Sequence, residues 1–194
     1  MPLLHRIALD DAHAILVGTL PAPLVPDATA FNALWSIHPS DFHEIKIHGR
    51  LVKTPRWQQA YGADYRYTGN TNRALPPTPP MVRWLDWARE HFDPTLNGLL
   101  LNWYDGARGH YIGKHRDSEI NRIEGSPIVT LCFGEHRPFR MRPWKSSDFV
   151  DIPAPDGSLI VIPWETNRAF THEVPSSKKA QGRRISVTIR AFHE

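Results

Sequence analysis

Cysteine is all but missing from this chain. Cys132 is the single thiol among 194 residues, so no internal disulfide can form and a reducing compartment is expected. It lies in the apolar run Leu131-Cys132-Phe133, where a buried thiol is expected rather than a nucleophile. Also missing is any run of about 18 apolar residues, which argues against a membrane-spanning helix. The apolar stretch Ala14–Pro26 carries three prolines and follows Asp10 and Asp11; that is a poor core for a secretory signal, so none is expected. Internal repeats, long charge blocks and linker-like stretches are absent too, and residues 1–194 read as one domain, monomeric by default. Lysine is scarce, 6 against 17 arginines. No compact basic localisation run stands out, so the cytoplasm is expected, or the nucleus in a eukaryote.

What is present is an ordinary globular composition, 41% hydrophobic and 22% charged, which excludes a disordered chain. The formal charge of +3 hints at an anionic partner but is too small to name one. Arginine supplies most of the positive charge, and its planar fork suits carboxylates and phosphates. Eleven histidines are a generous supply of groups for metal or acid–base chemistry.

The first half reads as helical. A helix is predicted from Asp27, a good N-cap, to Ile37, with Phe31, Leu34 and Trp35 on one side. A second is predicted from Pro80 to Phe92, where Met81, Leu85, Ala88 and Phe92 share one face. Glu44–Ile47 and Arg50–Val52 flank His48-Gly49 as a hairpin. After Asp93 come short β-rich runs at Gly98–Tyr104, Pro127–Phe133, Pro138–Arg142, Ser158–Pro163 and Arg184–Phe192, separated by turn residues. The fold class is therefore α+β, with helices packed on a β sandwich made mostly by the second half.

Chemistry concentrates in two places. His115 and Asp117 stand at i and i+2, which on an extended strand points both to one face, able to grip one metal. With 11 His and 12 Asp, about 0.7 such triplets arise by chance, so on the pair alone a solvated loop is the better reading. His172, in Phe170-Thr171-His172-Glu173, offers the third ligand of a two-histidine, one-carboxylate facial triad. The second place is the run Arg184 to Arg190. Alternation puts Arg184, Ser186, Thr188 and Arg190 on one face and Ile185, Val187 and Ile189 on the other. The polar face either meets water or, because guanidinium binds carboxylate bidentately, makes a dicarboxylate cradle.

Taken in order, Asn102-Trp103-Tyr104, His115-Arg116-Asp117, His172 and Arg184 to Arg190 match the pattern N-x-Y, H-x-D, a distant H, and R-x-N-x-T-x-R. The chain thereby resembles the AlkB-type Fe(II)/2-oxoglutarate dioxygenases over most of its length. Tyr61-Gly62, Tyr65-Arg66-Tyr67-Thr68-Gly69 and His172-Glu173-Val174-Pro175 look closest to the branch that holds a nuclear duplex-DNA repair demethylase. The resemblance implies a double-stranded β-helix (jelly-roll) core at 96–194, with 1–95 as an N-terminal extension and nucleotide-recognition lid. It implies Fe(II) held by His115, Asp117 and His172. It implies 2-oxoglutarate bound by Arg184, with Asn102 and Tyr104 donating hydrogen bonds and Ser186, Thr188 and Arg190 completing the cradle. O2 is the second co-substrate. The activity implied is oxidative removal of N-alkyl groups, such as those of 1-methyladenine and 3-methylcytosine, from DNA or RNA.

Substrate contacts are implied for Tyr65, Tyr67, Glu119, Arg56 and His48. Tyr65 and Tyr67 read equally as a half-buried hairpin, and Glu119 equally as a solvated carboxylate. Two departures stand out: the Asn between the arginines is Ser186 here, which still hydrogen-bonds, and the hairpin tip is His48 where intercalating wedges are apolar. Single-stranded nucleic acid is thus as open as duplex. Two rivals remain: an oxygenase acting on a small molecule or protein, and a non-catalytic binding module with a relic metal site.

Overall fold

The computed structural model describes residues 2–47, 49–67 and 70–193, with the backbone alone at 46, 47, 67 and 70. In chain order the elements are β1 (Leu4–Ala8), β2 (Ala14–Thr19), α1 (Ala28–Ser36), β3 (Glu44–Ile47), β4 (Arg50–Lys53), β5 (Trp57–Tyr61), β6 (Tyr65–Tyr67), β7 (Asn70–Asn72) and α2 (Pro79–His91). There follow β8 (Gly98–Asp105), β9 (Ile112–His115), β10 (Ile128–Gly134), β11 (Phe139–Pro143), β12 (Val150–Ile152), β13 (Ser158–Ile162), α3 (Trp164–Ala169), β14 (Phe170–Val174) and β15 (Arg183–Arg190).

Both helices predicted from the sequence form where the local chemistry starts them. The Asp27 carboxylate accepts a hydrogen bond from the Ala30 N–H at 2.8 Å, capping α1, a contribution of about 1 kcal/mol. Pro79 and Pro80 open α2, where a missing N–H costs nothing. The helices bury Leu34, Trp35, Met81, Trp84, Leu85 and Ala88 against a seven-stranded sheet of order β1-β2-β13-β10-β15-β8-β5. The strand residues in that core are alternate ones: Leu99, Leu101 and Trp103 of β8, Val129, Leu131 and Phe133 of β10, and Ile185, Val187 and Ile189 of β15. Trp103 is fully buried and its indole N–H donates to the Leu34 carbonyl at 2.9 Å, which ties α1 to the sheet centre. Gly134 ends β10 at φ +84°; a Cβ there would collide with the Arg183 carbonyl oxygen at the start of β15, so only glycine fits this approach.

The opposite face of the same sheet meets a four-stranded sheet of order β12-β11-β14-β9. Tyr104, Ile128, Cys132, Ile160 and Ile162 of the large sheet pack there on Phe139, Met141, Phe170 and Val174 of the small one. Every pairing within these two sheets is antiparallel. Two facing antiparallel sheets are the jelly-roll arrangement. Hairpins β3-β4 and β6-β7 stand apart from both sheets.

The first half contributes more to the sandwich than its sequence suggests. β1 and β2 form one edge of the large sheet and β5 the other. β2, part of the apolar stretch weighed above as a signal, pairs with β13 through residues 16–19 and buries Ile15. No helix among the described residues is long and apolar enough to cross a membrane.

Candidate active site

The polar face of β15 does not meet water. Arg184, Ser186, Thr188 and Arg190 are 0–7% exposed and turn into the space between the sheets. They line a pocket of about 640 Å³ together with Asn102 and Tyr104 of β8, His115 of β9 and His172 of β14.

His115 and His172 are brought together by register. They sit opposite each other on β9 and β14, where β9 carries one extra residue between the pairs His172–His115 and Val174–Ile112. Such a bulge re-aims side chains beside a site. The rings lie 4.3 Å apart, centre to centre. Asp117, expected on the same strand as His115, lies instead just beyond the end of β9. Its Oδ1 still faces both rings, at 3.6 Å from Nε2 of His115 and 3.8 Å from Nε2 of His172. One donor atom from each of the three residues falls within 4.8 Å of the others.

The protonation states suit metal binding. His115 Nδ1 is 2.9 Å from the Gly113 carbonyl, to which it donates, leaving the Nε2 lone pair for a ligand. Burial holds His115 below the ordinary histidine range, and burial together with the neighbouring His115 pulls His172 down to about 3. Both rings are therefore neutral at pH 7. Asp117 is fully buried as a side chain and is held ionised, well below the usual carboxylate range. Burial alone would raise it; Arg190, whose Nε donates to Oδ2 at 2.6 Å, and the two histidines overcome that. The Tyr65 hydroxyl donates to Oδ1 at 3.3 Å.

At the other end of β15 lies a buried cation with no anion beside it among the described residues. Arg184 is 0% exposed, and its Nε and Nη1 have no hydrogen-bond partner among the described residues. Its Nη2 contacts Cys132 Sγ at 3.0 Å and its guanidinium lies over the Tyr104 ring. A buried arginine left in this state is costly, several kcal/mol by general estimates, unless a ligand satisfies it. The pocket thus offers a carboxylate-seeking fork at one end and, at the other, the two histidines of the metal-ligating cluster, with the Asp117 carboxylate buried beside them. Asn102 is opposite Ser186 on the neighbouring strand, with its amide oxygen taken by Arg56 Nε at 2.7 Å.

The remaining sequence-predicted residues fall in different places. Tyr65 is 7% exposed, lines the pocket and carries Arg190 over its ring. Arg56 also lines the pocket, turned inward onto Asn102 and Gln58 rather than outward to a phosphate backbone. Glu119 is exposed and faces Arg168 at 3.7 Å, outside the pocket lining. His48 and the Tyr67 side chain lie outside the described residues. Sequence reasoning missed Asn167 of α3, which bonds the Asp117 backbone twice.

The profile of the 2OG-Fe(II) oxygenase superfamily matches residues 33–190. The chain belongs to this superfamily. Its members couple Fe(II) and 2-oxoglutarate to O2, and this oxygenase has a donor set that fits both groups: the two-histidine, one-carboxylate constellation suits Fe(II) with positions left open, and the unpartnered nitrogens of Arg184 suit a carboxylate. Its relatives include proteins of the AlkB type. It is 31% identical over 157 residues to DNA oxidative demethylase ALKBH2 of Homo sapiens, covering 75% of this chain and 60% of that protein. It is 28% identical over 177 residues to the Arabidopsis thaliana protein of the same name, covering 75% and 56%. With alpha-ketoglutarate-dependent dioxygenase alkB homolog 3 of Rattus norvegicus it shares 29% over 151 residues, 72% of this chain and 50% of that one. The oxygenase thus spans about half to two thirds of the length of these relatives. The solved structure of OsALKBH1 superposes with a TM-score of 0.59 at 12% identity, covering 97% of this chain and 100% of that one, a likeness of fold.

Proposed function

We propose that this oxygenase is an oxidative demethylase of N-alkylated bases in nucleic acid, DNA in the first instance. The observation that carries the reading is the pairing, around one pocket, of the His115-Asp117-His172 cluster with a buried Arg184 that has no anion among the described residues. The substrate class rests on the relatives named as DNA oxidative demethylases.

In this reading His115, Asp117 and His172 hold Fe(II), and Arg184 pairs the distal carboxylate of 2-oxoglutarate. When bound, the iron and 2-oxoglutarate would let O2 act as the oxidant, one oxygen atom converting 2-oxoglutarate to succinate with loss of CO2 and the other turning an N-methyl group into a hydroxymethyl group, which leaves as formaldehyde. The chain's own residues position and insulate. Arg190 and Tyr65 orient the Asp117 carboxylate. Asn102 and Tyr104, with Ser186 and Thr188 between the two arginines, contact the co-substrate. Tyr65 at the pocket wall gives an aromatic face beside a base turned out of its stack. Arg56 acts through Asn102, and Glu119 stands outside the pocket to meet the strand. His48 and Tyr67 stay assigned to substrate contact by the sequence pattern. The sheet that runs from β1 to β5 supports treating 1–194 as one domain.

The test is an intact-mass assay. Protein, Fe(II), ascorbate and 2-oxoglutarate are mixed with oligonucleotides carrying 1-methyladenine or 3-methylcytosine, single- and double-stranded. Loss of one methylene mass that requires 2-oxoglutarate is the expected result and reveals the strand preference. Succinate formation with no mass loss from any of these would overturn the nucleic-acid reading and favour a small-molecule or protein substrate.

A further inference from the structure

The metal cluster poses a positioning problem that sheet pairing does not solve. His115 and His172 are fixed by the β9–β14 ladder, but Asp117 lies two residues past the end of β9, where no strand partner among the described residues holds its backbone. Arg190 and Tyr65 grip its carboxylate. They orient the side chain only if the main chain beneath it is already in place.

We infer that Asn167 is the positioning residue that sets the Asp117 backbone, and with it the preformed geometry of the metal cluster. The Asp117 N–H donates to Asn167 Oδ1 at 3.0 Å, and Asn167 Nδ2 donates to the Asp117 carbonyl at 3.1 Å. One side-chain amide thus satisfies both main-chain groups of one residue, as a neighbouring strand would. Asn167 is 1% exposed and Asp117 3%, so water is no substitute for either bond. Asparagine is well suited here because its amide carries a donor and an acceptor side by side.

The bracket is wider than this pair. Arg116 Nη1 donates to the Arg168 carbonyl at 2.6 Å, and the Arg168 side chain faces Glu119. Residues 116–119 are therefore clasped by the end of α3, and α3 runs straight into β14, which carries His172. The segment 164–172 holds one metal ligand directly and a second through Asn167. This ties the positions of Asp117 and His172 to one another through a short stretch of chain, independent of the β9–β14 ladder.

The inference rests on the metal-centre reading above, and the experiment separates the two. Mn(II) is titrated anaerobically into metal-free wild type and into Asn167→Ala, Asn167→Asp and Thr166→Val, with thermal melting of each metal-free protein in parallel. Thr166→Val is the control: it removes the bond from the Thr166 hydroxyl to the Ala14 carbonyl, which anchors the same helix without touching Asp117. Partners that orient metal ligands typically matter by about 10–100-fold in metal affinity. The expected result is a loss of that size in Asn167→Ala. Asn167→Asp keeps the shape and the acceptor but lacks the donor, and is expected to fall between Asn167→Ala and wild type. Thr166→Val is expected to melt lower yet bind Mn(II) as wild type does. Should Asn167→Ala not fold, Asn167→Asp alone decides. Wild-type Mn(II) affinity in the folded Asn167 variants, with only their melting lowered, would overturn the inference and leave the metal centre standing. Failure of the wild type itself to bind Mn(II) would overturn both.

Discussion

β8, β10 and β15 each present two faces, and the two are built on opposite principles. Towards the helices, Leu99, Leu101, Trp103, Val129, Leu131, Phe133, Ile185, Val187 and Ile189 form a closed apolar layer with no charge in it. Towards the small sheet, the alternate positions carry Asn102, Thr130, Arg184, Ser186, Thr188 and Arg190, equally hidden from water. The first face gains from burial, about 1.5–3 kcal/mol for each large apolar side chain. The second pays for its burial, because Arg184 lacks an anion among the described residues and Asp117 needs Arg190 to stay ionised. A period of two lets one strand do both. The costly face marks where ligands complete the structure.

Breaking the comparison on the costly side at its metal end has the largest expected effect. Asp117→Ala removes one of three metal-ligating residues and strands the buried Arg190. Iron-dependent succinate formation is expected to fall to background, and stability by about 3–5 kcal/mol; near-normal succinate in this variant would contradict the assignment. On the apolar side, Leu101→Ala opens a cavity under the helices and is expected to cost about 2–5 kcal/mol in chemical denaturation. Its folded fraction should keep the wild-type affinity for 2-oxoglutarate, since Leu101 faces away from the pocket. Arg184→Met sharpens the contrast with an opposite sign. Replacing an unpaired buried cation by an apolar chain should leave the metal-free melting temperature no lower than wild type; a clear drop would show that Arg184 is satisfied within the chain.

A smaller effect follows from His172. The unfolded chain takes up a proton there near the ordinary 6.5, the folded chain only near about 3. Between those values the unfolded state holds the extra proton, so stability of the metal-free protein falls as pH drops through that window and is fully present above it. His172→Gln is expected to flatten the slope of stability against pH between 6 and 4. An unchanged slope would place the acid-sensitive group elsewhere.

Much of this contrast was legible in the sequence because it is periodic. Asp27 announced α1, the spacing of Met81, Leu85 and Ala88 announced α2, and the alternation from Arg184 to Arg190 announced a two-faced strand. The direction of the polar face was open, since alternation alone does not say whether water or a second sheet lies beyond it. The small sheet supplies that answer, and its strands β9, β12 and β14 are three to five residues long, too short for a period to show. β1 and β2 escaped because they lie at the sheet edge with several half-exposed residues. Asn167 carries no local pattern at all. Its role arises only when α3 meets the end of β9, fifty residues away in sequence. Arg56 carries no local pattern either; the pairing of β5 with β8 just after it brings it onto Asn102.

The most direct test of the account is calorimetric titration of 2-oxoglutarate into the Mn(II)-loaded protein without oxygen, wild type beside Arg184→Met. The account predicts one 2-oxoglutarate bound per wild-type chain, and affinity about 10–100-fold weaker in the variant, the scale of one lost charge-assisted pair. Equal affinity in the two proteins would contradict the claim that the buried face of β15 is built around this co-substrate.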